Sequence, residues 1–373
     1  MIIGVPKEIK NNENRVAIIP ANIKVLIKSG HSVYIQKDAG INSGFTDDQY
    51  VEQGAKILDT IEEVYKIADI IVKVKEPQPS EYPLLKENQT LFTYLHLAVD
   101  KELTKVLLNK KITAIAYETI QTEDGNLPLL IPMSEIAGKM SVQIAANLLE
   151  KHNGGAGILM GGAAGVPPAK VVIIGAGVVG ISAAKIAVGF GADVRIIDVN
   201  LNKLRYVENM FGSKVKTYMS NEYNLSKQTH KANVVIGAVL IPGLKAPHLI
   251  TEEMVKNMKK GSVIVDVAID QGGIVETIDR ITTHDNPTYE KHGVIHYSVA
   301  NIPGAVARTS TIALTNSTQS YLTNIVNMGV IEAIKAHPSL AKGTNTYGGH
   351  VTNQAVAESL GMKYAELSML IGF

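Results

Sequence analysis

Three ionisable residues stand just beyond apolar, β-branched runs near the N-terminus. Arg15 follows Ile2 to Val5 by a short loop, Lys75 follows Ile70 to Val74, and His96 follows Thr90 to Leu95. Their chemistries are complementary: a guanidinium grips a carboxylate bidentately, an ammonium polarises a carbonyl oxygen, and an imidazole exchanges a proton near neutral pH. An α-keto or α-amino acid would use all three. Taken singly, each reads better as a solvated charge or a loop histidine, and the pairs Lys7/Lys10 and Lys73/Lys75 read as solvated faces. Asp270, beyond the run Ser262 to Asp266, could orient an amine or a water, or simply cap a loop.

A second chemistry is written in Gly175-Ala176-Gly177-Val178-Val179-Gly180. The pattern G-x-G-x-x-G is weak alone, but here it follows Val171 to Ile174 directly and opens the helix-compatible run Ile181 to Phe190. In that context the first glycine permits a tight turn, the second admits a pyrophosphate to the backbone, and the third lets helix pack on strand. The pyrophosphate would sit on free N–H groups at the helix N-terminus. Asp198 ends the next run, near the spacing of about 20 residues expected of the carboxylate that binds the adenosine ribose. It would repel a 2′-phosphate, so NAD is favoured over NADP.

Elements of two kinds must position these residues. Five short runs, Ile2 to Val5, Ser32 to Ile35, Ile70 to Val74, Thr90 to Leu95 and Ile112 to Ala116, alternate with helix-compatible segments as in βα units. Apolar residues at helical spacing from Met133 to Leu149 predict a long linking helix. Six more strands are expected at Val171 to Ile174, Asp193 to Ile197, Lys214 to Tyr218, Asn233 to Ile236, Ser262 to Asp266 and Val294 to Tyr297. Ser310 to Lys335 reads as one helix, and the remaining tail is expected to return to the first domain. The fold class is therefore α/β, with two doubly wound parallel-sheet domains.

Composition narrows the function. The 373 residues carry 36 Lys+Arg against 35 Asp+Glu, a net charge of +1, with 46% apolar residues and no cysteine. A nucleic-acid-binding field is not suggested, and disulfides, thiolate nucleophiles and Cys-based zinc sites are excluded; no metal is expected. Charges at Lys7, Glu8, Lys10 and Glu13 interrupt any apolar stretch of signal-peptide length, so a cytoplasmic protein that does not enter a membrane is expected.

Longer motifs carry a resemblance. Gly4-Val5-Pro6-Lys7-Glu8, Asn14-Arg15-Val16-Ala17, Val74-Lys75-Glu76-Pro77 and Thr93-Tyr94-Leu95-His96-Leu97-Ala98 form one set. Pro132-Met133-Ser134-Glu135, Val265 to Gly273 and Val299-Ala300-Asn301-Ile302-Pro303-Gly304 form another. Across essentially its whole length the chain resembles the alanine dehydrogenase and pyridine nucleotide transhydrogenase family. The resemblance implies reversible oxidative deamination of L-alanine to pyruvate and ammonium with NAD. It implies Arg15 and Lys75 as substrate ligands and His96 and Asp270 as the catalytic pair. It places NAD against Ser134, Gly175, Gly177, Val178, Val179, Gly180, Asp198, Lys203, Ser220, Val239, Leu240, Val267, Ala268, Ile269, Asp270, Arg280, Val299, Ala300, Asn301 and Ile302. It also implies a central Rossmann domain (130–305), a flavodoxin/formate-dehydrogenase-like substrate domain from both chain ends (1–129 and 306–373), and a homo-hexamer. The alternative within the family is the NAD-binding subunit of a proton-translocating transhydrogenase. That subunit carries Arg, Gln and Asp near the start of the linking helix, whereas Leu127 to Glu150 here contains neither Arg nor Asp.

Overall fold

Short branched runs become strands where parallel neighbours bury both faces. In the computed structural model, which describes residues 1–239 and 247–372 apart from the side chains of Asp270 and Gln271, the chain forms two units. One comprises Met1–Met133 with Val306–Phe373, the other Ser134–Ala305. The first contains β1 (Ile2–Val5), β2 (Ser32–Gln36), β3 (Lys56–Leu58), β4 (Ile70–Val72), β5 (Thr90–Thr93) and β6 (Thr113–Ala116). The second contains β7 (Lys170–Ile174), β8 (Asp193–Asp198), β9 (Val215–Met219), β10 (Val234–Gly237), β11 (Val263–Asp266), β12 (Thr288–Lys291) and β13 (Val294–Tyr297). The return segment then adds β14 (Thr344–Tyr347) and β15 (His350–Val351).

The first sheet runs β15-β14-β6-β5-β4-β1-β2-β3. From β1 the chain winds outward through β2 and β3, then crosses back to β4 and continues through β5 and β6, all in parallel. The order therefore reverses between β1 and β4, the kind of switch point where α/β sheets bind ligands beyond the carboxyl ends of their strands. β4, β5 and β6 are buried throughout. The second sheet runs β12-β13-β11-β10-β7-β8-β9, with its own reversal between β7 and β10. Ile3, Val72 and Phe92 belong to the main core of the first unit, and Val171, Ile196 and Val265 to that of the second.

Four strands were not expected, and each is an edge element or lies next to one. β3 has three residues and an exposed start. β12, Thr-Tyr-Glu-Lys, pairs antiparallel with β13 through a two-residue turn in which His292 and Gly293 both have positive φ (58° and 77°), as a type I′ hairpin requires. β14 and β15 are joined in the same way by Gly348 and Gly349 (φ 56° and 86°). β14 also pairs antiparallel with β6, which brings the tail onto the first sheet. The expected helix from Ser310 to Lys335 is two helices, Ala307–Met328 and Val330–Ala336, separated by Gly329 at φ 84°. The linking helix spans Ile131–Leu148. Among the described residues, no helix is long and apolar enough to cross a membrane.

Candidate active site

Because β5, β4 and β1 are adjacent, the loops that leave their carboxyl ends are neighbours, and these carry His96, Lys75 and Arg15. Arg15 is almost wholly buried. Its Nε donates to Glu13 Oε1 at 2.7 Å and its Nη2 to Glu13 Oε2 at 2.5 Å, while Nη1 lies 3.0 Å from Met133 Sδ. Burial opposes both charges, but the pairing outweighs it: Glu13 is held below the ordinary carboxylate value and Arg15 above that of a free guanidinium. Glu13 thus fixes the plane of the guanidinium, a role not read from the sequence although the two residues are separated by one position.

Lys75 has no hydrogen bond or ion pair to its ammonium among the described residues. Its pKa is lowered, chiefly by burial and next by repulsion from Arg15. Its carbonyl accepts from Thr93 Oγ1 at 3.0 Å.

Lys73 corrects the solvated-face reading. It is fully buried, with Nζ 2.8 Å from Glu81 Oε1 and 3.3 Å from Glu8 Oε2. Tyr65 donates to Glu81 at 2.9 Å, and Glu8 Oε1 accepts the Val74 N–H at 2.6 Å. This ion cluster anchors the segment that presents Lys75. Lys10 pairs with Glu76, whose carboxylate also feels the His96 ring.

His96 is exposed and sits at φ 52°, ψ 33°, a left-handed conformation that costs a non-glycine residue about 1–3 kcal/mol and gathers at functional sites. Glu118 holds it there, accepting the N–H groups of Leu95 (3.1 Å) and His96 (2.6 Å). The ring lies stacked near that of Tyr94, with centroids 6.1 Å apart and planes 11° apart. Tyr94 in turn feels the charge of Arg15 and donates to Leu129 O at 2.6 Å. Arg15, Lys75 and His96 therefore form one electrostatically coupled group with Glu13, Glu76 and Tyr94. Glu118 was also missed: it comes from the turn after β6, and no local spacing announces it.

In the second unit the three glycines play separable parts. Gly175 has φ 107°, and a Cβ there would lie 2.5 Å from Ala238 O at the end of β10. A Cβ on Gly177 would meet nothing within 4 Å, so the turn is open on that side. A Cβ on Gly180 would fall 1.9 Å from Gly175 O. Gly180→Ala should therefore force helix and turn apart. A loss of nucleotide binding of about 100-fold is expected, the scale of a roughly 1 Å misplacement, measured by NADH fluorescence titration.

The helix Val178–Gly189 starts at Gly177 with no side-chain cap, so its first N–H groups suit a phosphate. Asp198 Oδ2 accepts the Ala176 N–H and Oδ1 the Asn200 N–H, each at 2.7 Å. It ties the glycine turn to the end of β8, and a carboxylate's remaining lone pairs suit ribose hydroxyls. Ser220 donates its N–H to Asp198 O at 2.9 Å, whereas Lys203 is exposed on the helix Leu201–Phe211. These features fit a dinucleotide.

Val239 is half-buried beyond β10, Val179, Ala268, Ile269, Val299 and Ile302 are buried, and Val178 is partly exposed. Ser134, Val267 and Ala300 are half-buried, and Asn301 has φ 62°. Arg280 is exposed; Nε donates to Asp279 at 2.7 Å and the guanidinium lies 4.8 Å from the Tyr289 ring centroid. Leu240 lies outside the described residues, as does the side chain of Asp270.

Comparison with known proteins places the whole chain in one family. Residues 4–137 match the family model "Alanine dehydrogenase/PNT, N-terminal domain", and residues 141–354 match "Alanine dehydrogenase/PNT, C-terminal domain". An alanine dehydrogenase of Methanococcus maripaludis is 62% identical over 364 residues, 98% of each chain. A solved L-alanine dehydrogenase superposes with a TM-score of 0.94 at 49% identity, covering 97% of this chain and 99% of that one. A transhydrogenase from Sinorhizobium meliloti is more distant, with a TM-score of 0.80 at 27% identity over 95% of this chain and 100% of its own. The chain thus belongs to the alanine dehydrogenase/PNT family of pyridine nucleotide-dependent oxidoreductases.

Proposed function

We propose that the protein catalyses the reversible oxidative deamination of L-alanine to pyruvate and ammonium with NAD as cofactor. The observation that carries this reading is the coupled group of Arg15, Lys75 and His96 at the reversal of the first sheet, in a chain 62% identical to an alanine dehydrogenase. Arg15, its plane set by Glu13, holds the substrate carboxylate on its Nη1 side. Lys75 donates to the carbonyl oxygen of pyruvate; its lowered pKa brings its proton closer to exchange at working pH. Bound NAD⁺ supplies the acceptor for the alanine Cα hydride, which leaves a substrate iminium. His96 takes a proton from the water that attacks the iminium, returns it to the amine of the resulting carbinolamine, and then accepts the hydroxyl proton as the C=O bond forms and ammonia leaves. Asp270, the partner of His96 by family resemblance, enters by sequence position alone.

Gly175, Gly177, Val178, Val179 and Gly180 cradle the pyrophosphate, and Asp198 takes the ribose hydroxyls. Ser134, Lys203, Ser220, Val239, Leu240, Val267 to Asp270, Arg280 and Val299 to Ile302 complete the nucleotide contacts. The reading extends to a cytoplasmic homo-oligomer, hexameric as the resemblance implies and measurable by light scattering.

The test is NADH formation from L-alanine beside L-serine, L-lysine and glycine, with NAD and with NADP. L-alanine with NAD should be the best pair. Equal rates with NADP would remove the role of Asp198, and no rate with any of the four amino acids would overturn the reading.

A further inference from the structure

At the end of β11 a carboxylate is shut away from solvent. Asp266 is fully buried, and among the described residues no Lys or Arg pairs with it. Both oxygens are engaged by backbone on opposite sides of one loop: Oδ1 accepts the Ala268 N–H at 3.0 Å and Oδ2 the Ile274 N–H at 2.7 Å. Glycines make room for it. A Cβ on Gly237, its register partner on β10, would lie 2.7 Å from Oδ1, and a Cβ on Gly273 (φ 75°) would lie 2.8 Å from Oδ2. Between the two anchors runs Val267–Gln271, a single 3₁₀ turn closed by Gly272 N–H to Ile269 O (2.9 Å) and Gly273 N–H to Ala268 O (3.1 Å).

We propose that Asp266 is a positioning residue: clamped by the N–H groups of Ala268 and Ile274, it holds Val267–Gln271 in the shape that meets the dinucleotide. The inference rests on the reading that this segment contacts NAD. A carboxylate is the side chain of this length that accepts hydrogen bonds at both ends. Asparagine keeps one acceptor and turns an N–H₂ donor against the other backbone N–H. A neutral side chain would nonetheless be easier to bury, since a charge without a paired cation resists desolvation.

The direction of the ionisation agrees. Burial pushes Asp266 up to about 6, opposed by the backbone N–H groups of Ile274, Ala268 and Val275; His248 is the charged group whose field reaches it. The folded value lies above the unfolded one, so stability is lost as pH rises through about 6. At neutral pH the ionised carboxylate is a net burden on the folded state.

Asp266→Asn separates the two roles. At neutral pH its melting temperature should equal or exceed that of the wild type, while NADH affinity by fluorescence titration falls roughly tenfold or more, equivalent to about 1.4 kcal/mol per factor of ten. A lower melting temperature would make Asp266 structural support and overturn the proposal, as would unchanged NADH affinity. Should this variant not fold, Gly237→Ala displaces the same carboxylate; a comparable loss of NADH affinity supports the proposal and retained affinity overturns it. Alanine-dependent NADH formation by the wild type is measured alongside. Its absence with intact NADH binding would refute the functional reading and leave the Asp266 result to stand by itself.

Discussion

His96→Ala should lower kcat for alanine oxidation by about 10²- to 10⁴-fold, the usual consequence of losing a positioned acid–base group. The imidazole is the exposed member of the group that includes Arg15 and Lys75, and its left-handed backbone is held by Glu118. That conformation supplies a control. Asparagine tolerates positive φ better than alanine, so His96→Asn removes the imidazole without adding backbone strain and should lose as much rate. Initial rates of NADH formation at saturating alanine and NAD, with circular dichroism to verify folding, decide it. If His96→Asn turns over like the wild type, the imidazole is not the proton carrier.

Arg15→Met should damage stability and activity together. Glu13 is fully buried against the guanidinium, and removing one partner of a buried pair costs about 3–5 kcal/mol because the other charge is left in a poor solvent. Glu13 is held below its ordinary carboxyl value by this pairing. Its contribution is thus complete at pH above the unfolded carboxyl pKa and is lost as pH falls through the depressed value. The double variant Glu13→Gln with Arg15→Met removes both charges and should recover much of the stability without recovering activity. Urea unfolding of the wild type, Arg15→Met, Glu13→Gln and the double variant supplies the coupling energy. If the double variant is no more stable than Arg15→Met, the pair is not the coupled unit described; if either variant keeps wild-type activity, Arg15 does not bind the substrate carboxylate.

Much of this molecule was legible because its strands are short, branched and buried on both faces. β1 and β13 match their expected bounds, and the other expected strands differ by at most two residues at an end. What escaped was stabilised by pairing rather than by pattern. β12 is polar and forms because a His-Gly turn folds it onto β13; β14 and β15 were announced by Gly348-Gly349, a hairpin signal in a tail expected to return to the first domain but given no strands. Gly329 likewise marked the break in the penultimate long helical stretch.

At the site, Arg15, Lys75 and His96 were visible from their places after strand ends. Those that hold them were not. Glu13, Glu118 and the Glu8–Lys73–Glu81 cluster act across loops, and nothing in residue type or spacing distinguishes Lys73 from a solvated lysine. Its burial depends on two carboxylates arriving from other parts of the chain.

The most direct measurement is a crystal structure of the protein with NADH and pyruvate. The pyruvate carboxylate should lie on the Arg15 guanidinium, with the ketone oxygen in hydrogen-bond reach of Lys75 Nζ and His96, and the pyrophosphate on the N-terminus of Val178–Gly189. Pyruvate bound away from all three side chains, with the dinucleotide in place, would contradict the assignment of substrate binding and proton transfer to the first unit.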